Sequence, residues 1–247
     1  MSTIVVSKLP THWTITLNRP DKLNALCASL VEELIQAFDE AQAAGTPLVV
    51  LQGEGRCFSA GFDMSDVQSQ SEGDLLLRFV RIEVLLNKIA SSPCFTVALA
   101  HGRNFGAGVD LIAACNLRAA APGSTFRMPG LKFGLALGSA RFARIVGTRE
   151  AQRILEMAAT FDVERAIANG FIERVVGPEQ HAGLIAEALE RVNALPAESR
   201  ALLRRALDTE QADTDLAALV RSACVPGIHT RIDAYLAASK KAQEKIV

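Results

Sequence analysis

Aromatic residues are scarce: 11 Phe, one Trp and one Tyr make up 5% of the 247 residues. Such a surface offers few of the stacking platforms that hold single-stranded nucleic acid. Charge of one sign is lacking too. Lys and Arg number 26 against 27 Asp and Glu, a formal net charge of −1. No global positive field draws in nucleic acid or an anionic membrane, so a polyanionic ligand has to be held by a local site. Long apolar runs are absent, and stretches such as PLVVL and TVALA are far too short to cross a bilayer. The opening MSTIVVSKLP has neither a basic stretch nor a long apolar stretch, which argues against a secretory signal. Five cysteines, Cys27, Cys57, Cys94, Cys115 and Cys224, stand too far apart for a C-x-x-C pair and read as small hydrophobes in a reducing cytoplasm. The four histidines are scattered without ligand spacing, and no metal site is expected.

What is present points to a packed α/β domain. Apolar residues make up 49% of the chain, enough for a sizeable core without staples. Ile4–Val6 and Trp13–Leu17 alternate with period two, as strands do. From Ser29 the period lengthens: Leu30, Leu34, Ile35, Phe38 and Ala41 mark an amphipathic helix that Gly45 closes. Pro47–Leu51 and Cys94–Ala100 are short apolar runs typical of strands buried on both faces, with a helix over about 74–89 between them. Leu117–Ala121 is another strand, and Phe171–Val176 the last. Helices are expected to start at Thr148 and at Asp162–Glu164. Beyond Pro178 the pattern is helical throughout, with breaks at Pro196 and Pro226. The expected division is 1–177 for the sheet-bearing core and 178–247 for a helical region.

Two glycine-rich turns follow buried strands, where α/β folds place ligands. One is Cys57-Phe58-Ser59-Ala60-Gly61-Phe62-Asp63; the other runs His101-Gly102-Arg103-Asn104-Phe105-Gly106-Ala107-Gly108-Val109-Asp110. Facing one another, two such turns can pin a single oxygen between main-chain N–H donors, a device that stabilises an oxyanion or enolate. Tight strand-to-helix packing would call for the same glycines. Other motifs fail: a dinucleotide fingerprint starting at Gly106 meets Leu111 where a third small residue is needed, and a nucleophile elbow around Ser59 has Cys57 at its first glycine.

Four stretches in register carry a family resemblance. They are Asn18-Arg19-Pro20-Asp21-Lys22-Leu23-Asn24-Ala25-Leu26, the Phe-Ser-Ala-Gly-x-Asp turn, Gly106-Ala107-Gly108 ahead of an acidic residue, and Phe126–Gly134 with Arg144-Ile145-Val146-Gly147. From about Trp13 to Val176 the chain resembles the crotonase superfamily, the enoyl-CoA hydratase/isomerase family, and Gly227–Leu236 is similar to its C-terminal helix. The resemblance implies a crotonase-type spiral of ββα units whose helical C-terminal region supports a homotrimer or a dimer of trimers. It implies a coenzyme A thioester as substrate, with no separate cofactor. By position, the N–H groups of Phe62 and Ala107 would grip the thioester carbonyl. Lys22, Leu23, Ala25, Ala60, Asp63 and Met64 match places where the family holds coenzyme A, and Arg19, Arg56, Arg78 and Arg81 are candidate sources of local positive charge.

The acid/base positions depart from the family. Its hydratases use two glutamates; here the first position is Asp110 and the second is Gly130, which cannot move a proton. Hydration needs one group to activate water and another to deliver a proton, each worth roughly 10²–10⁴-fold. A lone carboxylate can still shuttle a proton between carbons, so isomerisation is expected over hydration. The Gly-Val-Asp-Leu context is similar to the superfamily's dienoyl-CoA isomerases, but their further downstream acids are missing. If only a side chain is lost, Gly130→Glu should raise hydration. Two alternatives stay open: an impaired acyl-CoA-binding paralogue, and a hydrolase using His101 or a residue of the helical tail.

Overall fold

The computed structural model describes residues 2–207 and 211–244. Nine strands, β1 (Ile4–Lys8), β2 (Trp13–Leu17), β3 (Leu48–Gly53), β4 (Phe95–Ala100), β5 (Arg103–Phe105), β6 (Leu117–Ala120), β7 (Thr125–Arg127), β8 (Phe161–Asp162) and β9 (Arg174–Val175), form two sheets among the described residues. The larger has the order β1-β2-β3-β4-β6-β9, the smaller β5-β7-β8. After an antiparallel start, β2, β3, β4, β6 and β9 pair in parallel. Strands β4 and β6 are each followed, after a short turn, by a strand of the second sheet, where β5 and β7 again run parallel. This succession is the spiral of ββα units that the resemblance implied.

Among the described residues ten α-helices surround the sheets: α1 (Ala28–Ala43), α2 (Glu72–Ala90), α3 (Ala107–Ala113), α4 (Ser139–Val146), α5 (Thr148–Met157), α6 (Val163–Ala168), α7 (His181–Asn193), α8 (Ala197–Leu207), α9 (Ala212–Ala223) and α10 (Ile228–Glu244). Helix α1 ends before Gly45, and α2 starts on a reciprocal cap in which the Ser71 hydroxyl accepts from the Asp74 N–H and the Asp74 carboxylate from the Ser71 N–H. The continuous apolar runs of β3 and β4 are explained by layers on both faces. Val49, Leu51 and Ala98 face the main core with α1, α2 and α3, whereas Leu48, Val50, Val97 and Leu99 pack under Leu184, Ala188 and Val192 of α7. Phe126, Phe142, Phe161 and Phe171 cluster beneath the small sheet, with ring centroids 5.3–5.9 Å apart.

The structure departs from the sequence-based expectations mainly at short strands. Residues 103–105 form β5 inside the stretch read as a turn, β7 and β8 lie in regions without a strand signal, and the strand expected over 171–176 is only Arg174–Val175. These pieces are two or three residues long, too short for a period to show. The helical tail packs on the cores already described. Leu219, Ala223, Ile228 and Ile232 belong to the main core, so Leu216 and Leu219 of α9 serve packing within the chain.

Candidate active site

The two glycine turns meet. A Cβ added at Gly61, where φ is +80°, would overlap the Phe105 carbonyl oxygen and lie 3.1 Å from the Ala107 nitrogen. A Cβ at Gly108 would come within 2.5 Å of the Ser59 carbonyl oxygen. Glycine is needed at 61 for the left-handed backbone and at both positions for the close approach. Tight packing and site construction are therefore one feature here.

Buried Asn24 and Ser59 hold the junction. The Asn24 side chain donates to the Glu54 and Cys57 carbonyls and accepts from the Arg19 N–H, while the Ser59 hydroxyl donates to the Asn24 carbonyl at 2.8 Å and accepts from the Gly61 N–H at 3.1 Å. Leu26 pairs with Phe62 as a parallel bridge: the Leu26 N–H donates to the Gly61 carbonyl at 2.7 Å and the Asp63 N–H to the Leu26 carbonyl at 3.3 Å. In that register the Phe62 N–H is turned away from Leu26. The Ala107 N–H stands in the first turn of α3, where no intrahelical acceptor exists. Neither N–H donates to an acceptor among the described residues.

Phe62 and Ala107 both line a cavity of about 210 Å³. Ala60, Met64, Phe79 and Met128 contribute to its wall, as do Phe133, Leu135 and Leu137 of the 3₁₀ turn at 130–133 and the loop after it. Tyr235 and Leu236 of α10 close another side. Among the described residues the polar side chains in this wall are those of Asp110, Ser139 and Tyr235. Asp110, on α3 three residues after Ala107, is 2% exposed, and its Oδ1 has no hydrogen-bond partner among the described residues. That oxygen lies against Gly138, where a Cβ would overlap it. Burial raises the Asp110 carboxyl well above the ordinary carboxylate range; the negative charge of Glu83 adds to the rise and Arg141 opposes it. Glu83 and Arg141 are themselves buried and paired at 3.2 Å, and Arg141 also donates to Asn87 Oδ1 at 2.7 Å. A buried carboxyl poised to hold its proton, three residues from a free main-chain donor, suits proton transfer next to a carbonyl.

A sequence model of the enoyl-CoA hydratase/isomerase family matches residues 12–225. The chain belongs to that family. A crystal structure described as an enoyl-CoA hydratase/isomerase from Bordetella parapertussis is 52% identical, covers 96% of this chain and 99% of its own, and superposes with a TM-score of 0.94. An enoyl-CoA hydratase of Mycobacterium bovis is 36% identical over 166 residues, 66% of this chain and 66% of that protein. The human mitochondrial Δ(3,5)-Δ(2,4)-dienoyl-CoA isomerase is 30% identical over 177 residues, 65% of this chain and 54% of that protein.

For a member of the enoyl-CoA hydratase/isomerase family, the placement of the remaining residues is mixed. Ala60 and Met64 are in the cavity wall. Lys22, Leu23 and Ala25 are outside it, in the adjoining loop that is tied to Ala60 through the Ala60 N–H and the Leu23 carbonyl. Asp63 is also outside the wall, and both of its carboxylate oxygens have partners within the chain. Its Oδ2 accepts from Arg19 at 2.8 Å and its Oδ1 from the Ser65 N–H and hydroxyl; burial works to raise this carboxyl, but Ser65 and Arg19 hold it below its ordinary value. Of the four arginines proposed as local positive charge, Arg19 is paired with Asp63, Arg81 with Glu32, and Arg78 donates to main-chain carbonyls, which leaves Arg56 exposed. His101 is outside the wall, its Nε2 3.0 Å from the Gly55 carbonyl oxygen. Gly130 lines the cavity, but a Cβ there would stand 2.8 Å from the Leu135 carbonyl oxygen. The loop has closed over the place where a glutamate would start, so restoring that side chain is more than filling a gap. Sequence reading missed Asn24, Ser59, Glu83, Arg141 and Tyr235 as contributors. Their types are common in any chain, and only the fold brings them to the site.

Proposed function

We propose that this enzyme moves a proton between carbons of an acyl-CoA thioester through a stabilised enolate, with isomerisation favoured over hydration. The N–H groups of Phe62 and Ala107 hold the thioester carbonyl oxygen, and Asp110 is the acid/base. The observation that supports this reading is that Phe62, Ala107 and Asp110 line a single apolar cavity, with neither of the first two N–H groups nor the buried Asp110 Oδ1 finding a hydrogen-bond partner among the described residues. Enolate formation places negative charge on the carbonyl oxygen, where fixed donors cost no reorganisation; one such donor is worth about 2.7–4 kcal/mol of barrier in enzymes where it has been removed. Asp110 takes the proton from one carbon and returns it to another. Hydration needs a second group, and the Gly130 segment supplies none. Coenzyme A enters as part of the substrate, with Ala60, Met64 and the Lys22–Ala25 loop on its path. The helical region 178–247 supports a homotrimer or dimer of trimers, and a cytoplasmic location fits the free thiols.

The test is incubation with 2-enoyl-, 3-enoyl- and dienoyl-CoA in deuterated water. Deuterium incorporation at Cα or Cγ is expected, and Asp110→Asn is expected to abolish it. Tight ester binding with no exchange would favour an impaired binding paralogue instead. Release of free coenzyme A that survives Asp110→Asn would favour a hydrolase; among the described residues, Tyr235 is the polar side chain that the helical tail contributes to the wall.

A further inference from the structure

Arg78 projects from α2 onto the loop that carries Phe62. Its guanidinium carbon lies 4.1 Å from the centroid of the Phe62 ring, while the neighbouring Phe79 packs on the same ring at 4.5 Å. Arg78 Nη2 donates to the Asp63 carbonyl at 2.9 Å and the Leu26 carbonyl at 3.4 Å, and Nη1 donates to Gln70 Oε1 at 3.1 Å. The Leu26 carbonyl is the one that also accepts from the Asp63 N–H. Arg78 therefore grips both strands of the Leu26–Phe62 bridge at the point that sets which way the Phe62 N–H turns.

That peptide needs the restraint. Its first residue is Gly61, which lacks a Cβ to limit rotation and sits at φ +80°. On one side the Leu26 N–H holds its carbonyl. On the other, the Phe62 ring and the carbonyl of the next residue, Asp63, are held by Arg78. A guanidinium over an aromatic face is attractive, more so when desolvated, and arginine alone offers that plane together with several directed donors. The cavity's only described carboxylate is Asp110, and Arg78 is absent from the wall, so a direct part in proton transfer is excluded.

We propose that Arg78 is a positioning residue that aims the Phe62 N–H at the substrate carbonyl through its grip on Phe62, Asp63 and Leu26. The assignment rests on the reading of the site given above. Losing one oxyanion donor costs about 10²–10³ in turnover, so a misaimed one is expected to cost about tenfold or more. Contacts to the rest of the ester are untouched, so binding should change little.

The experiment uses crotonyl-CoA carrying ¹³C at the thioester carbonyl, bound to the unmodified protein, Arg78→Met and Arg78→Lys. Difference infrared spectra report the polarisation of that carbonyl, and exchange in deuterated water reports enolate formation. The unmodified protein should lower the carbonyl frequency relative to free ester. In Arg78→Met the lowering should shrink and exchange fall about tenfold or more, with the ester dissociation constant little changed. Arg78→Lys keeps a cation over the ring with fewer directed donors and should fall between; it decides the matter if the methionine variant does not fold. A frequency lowering equal to that of the unmodified protein in the folded variants overturns the role of Arg78 alone. No lowering in the unmodified protein overturns the reading of the site, and the positioning role with it.

Discussion

Asp110 shows how one residue can be set for chemistry at the expense of stability. Its carboxyl is buried, carries an oxygen with no hydrogen-bond partner among the described residues and feels the negative charge of Glu83. Because its pKa in the fold is raised, the folded state binds this proton more tightly than the unfolded chain does. The stabilising effect is complete below the ordinary aspartate pKa and is lost as pH rises through the raised value. Asp110→Asn, which cannot ionise, is therefore expected to melt at a higher temperature than the unmodified protein at neutral pH, with the gap closing on acidification. Thermal unfolding measured across pH checks this; a constant gap would contradict it. Position 130 gives the opposite lesson. If only a side chain were lost, Gly130→Glu should raise hydration, whereas the Leu135 carbonyl in its way predicts a lower melting temperature and no gain in crotonyl-CoA hydration.

At the scale of elements, the site depends on how closely two turns can touch. Gly61→Ala would press a methyl group into the Phe105 carbonyl and strain a left-handed backbone, so it should cost about 2–4 kcal/mol in denaturant unfolding and move the two main-chain donors apart. What could be read from the sequence follows the same division. Long periodic stretches declared themselves: β2 spans the residues expected of it, and α1 and α2 differ by a residue or two at their ends. Phe62, Ala107 and Asp110, singled out through the family resemblance of the glycine turns that carry them, do line one cavity. Short strands such as β8 have no period to read. The partners of Arg19, Arg78 and Arg81 were hidden for another reason: an arginine on a helix or loop looks solvated until the fold shows which carbonyl or carboxylate stands opposite.

The whole molecule closes the cavity with its helical tail. Arg231 on α10 donates to the carbonyls of Phe133 at 3.0 Å, Gly134 at 3.3 Å and Val225 at 2.7 Å, and the Tyr235 ring packs 5.3 Å from Phe133. One side chain thus pins the helix to the 3₁₀ turn that carries Gly130. Arg231→Met should remove about 1–3 kcal/mol of stability and make α10 an early site of proteolytic cutting, checked by thermal unfolding and limited proteolysis with and without acyl-CoA. Added ester should slow the cutting, since the wall it contacts includes Tyr235 and Leu236.

Distance along the chain between Leu137 and Tyr235 has a consequence for biosynthesis. At roughly 5–20 residues per second, a ribosome needs about 5–20 s to pass from one to the other. During that interval Met128, Phe133, Leu135 and Leu137 lack their cover, and the nascent polypeptide presents a greasy trough to whatever chaperone waits at the exit tunnel.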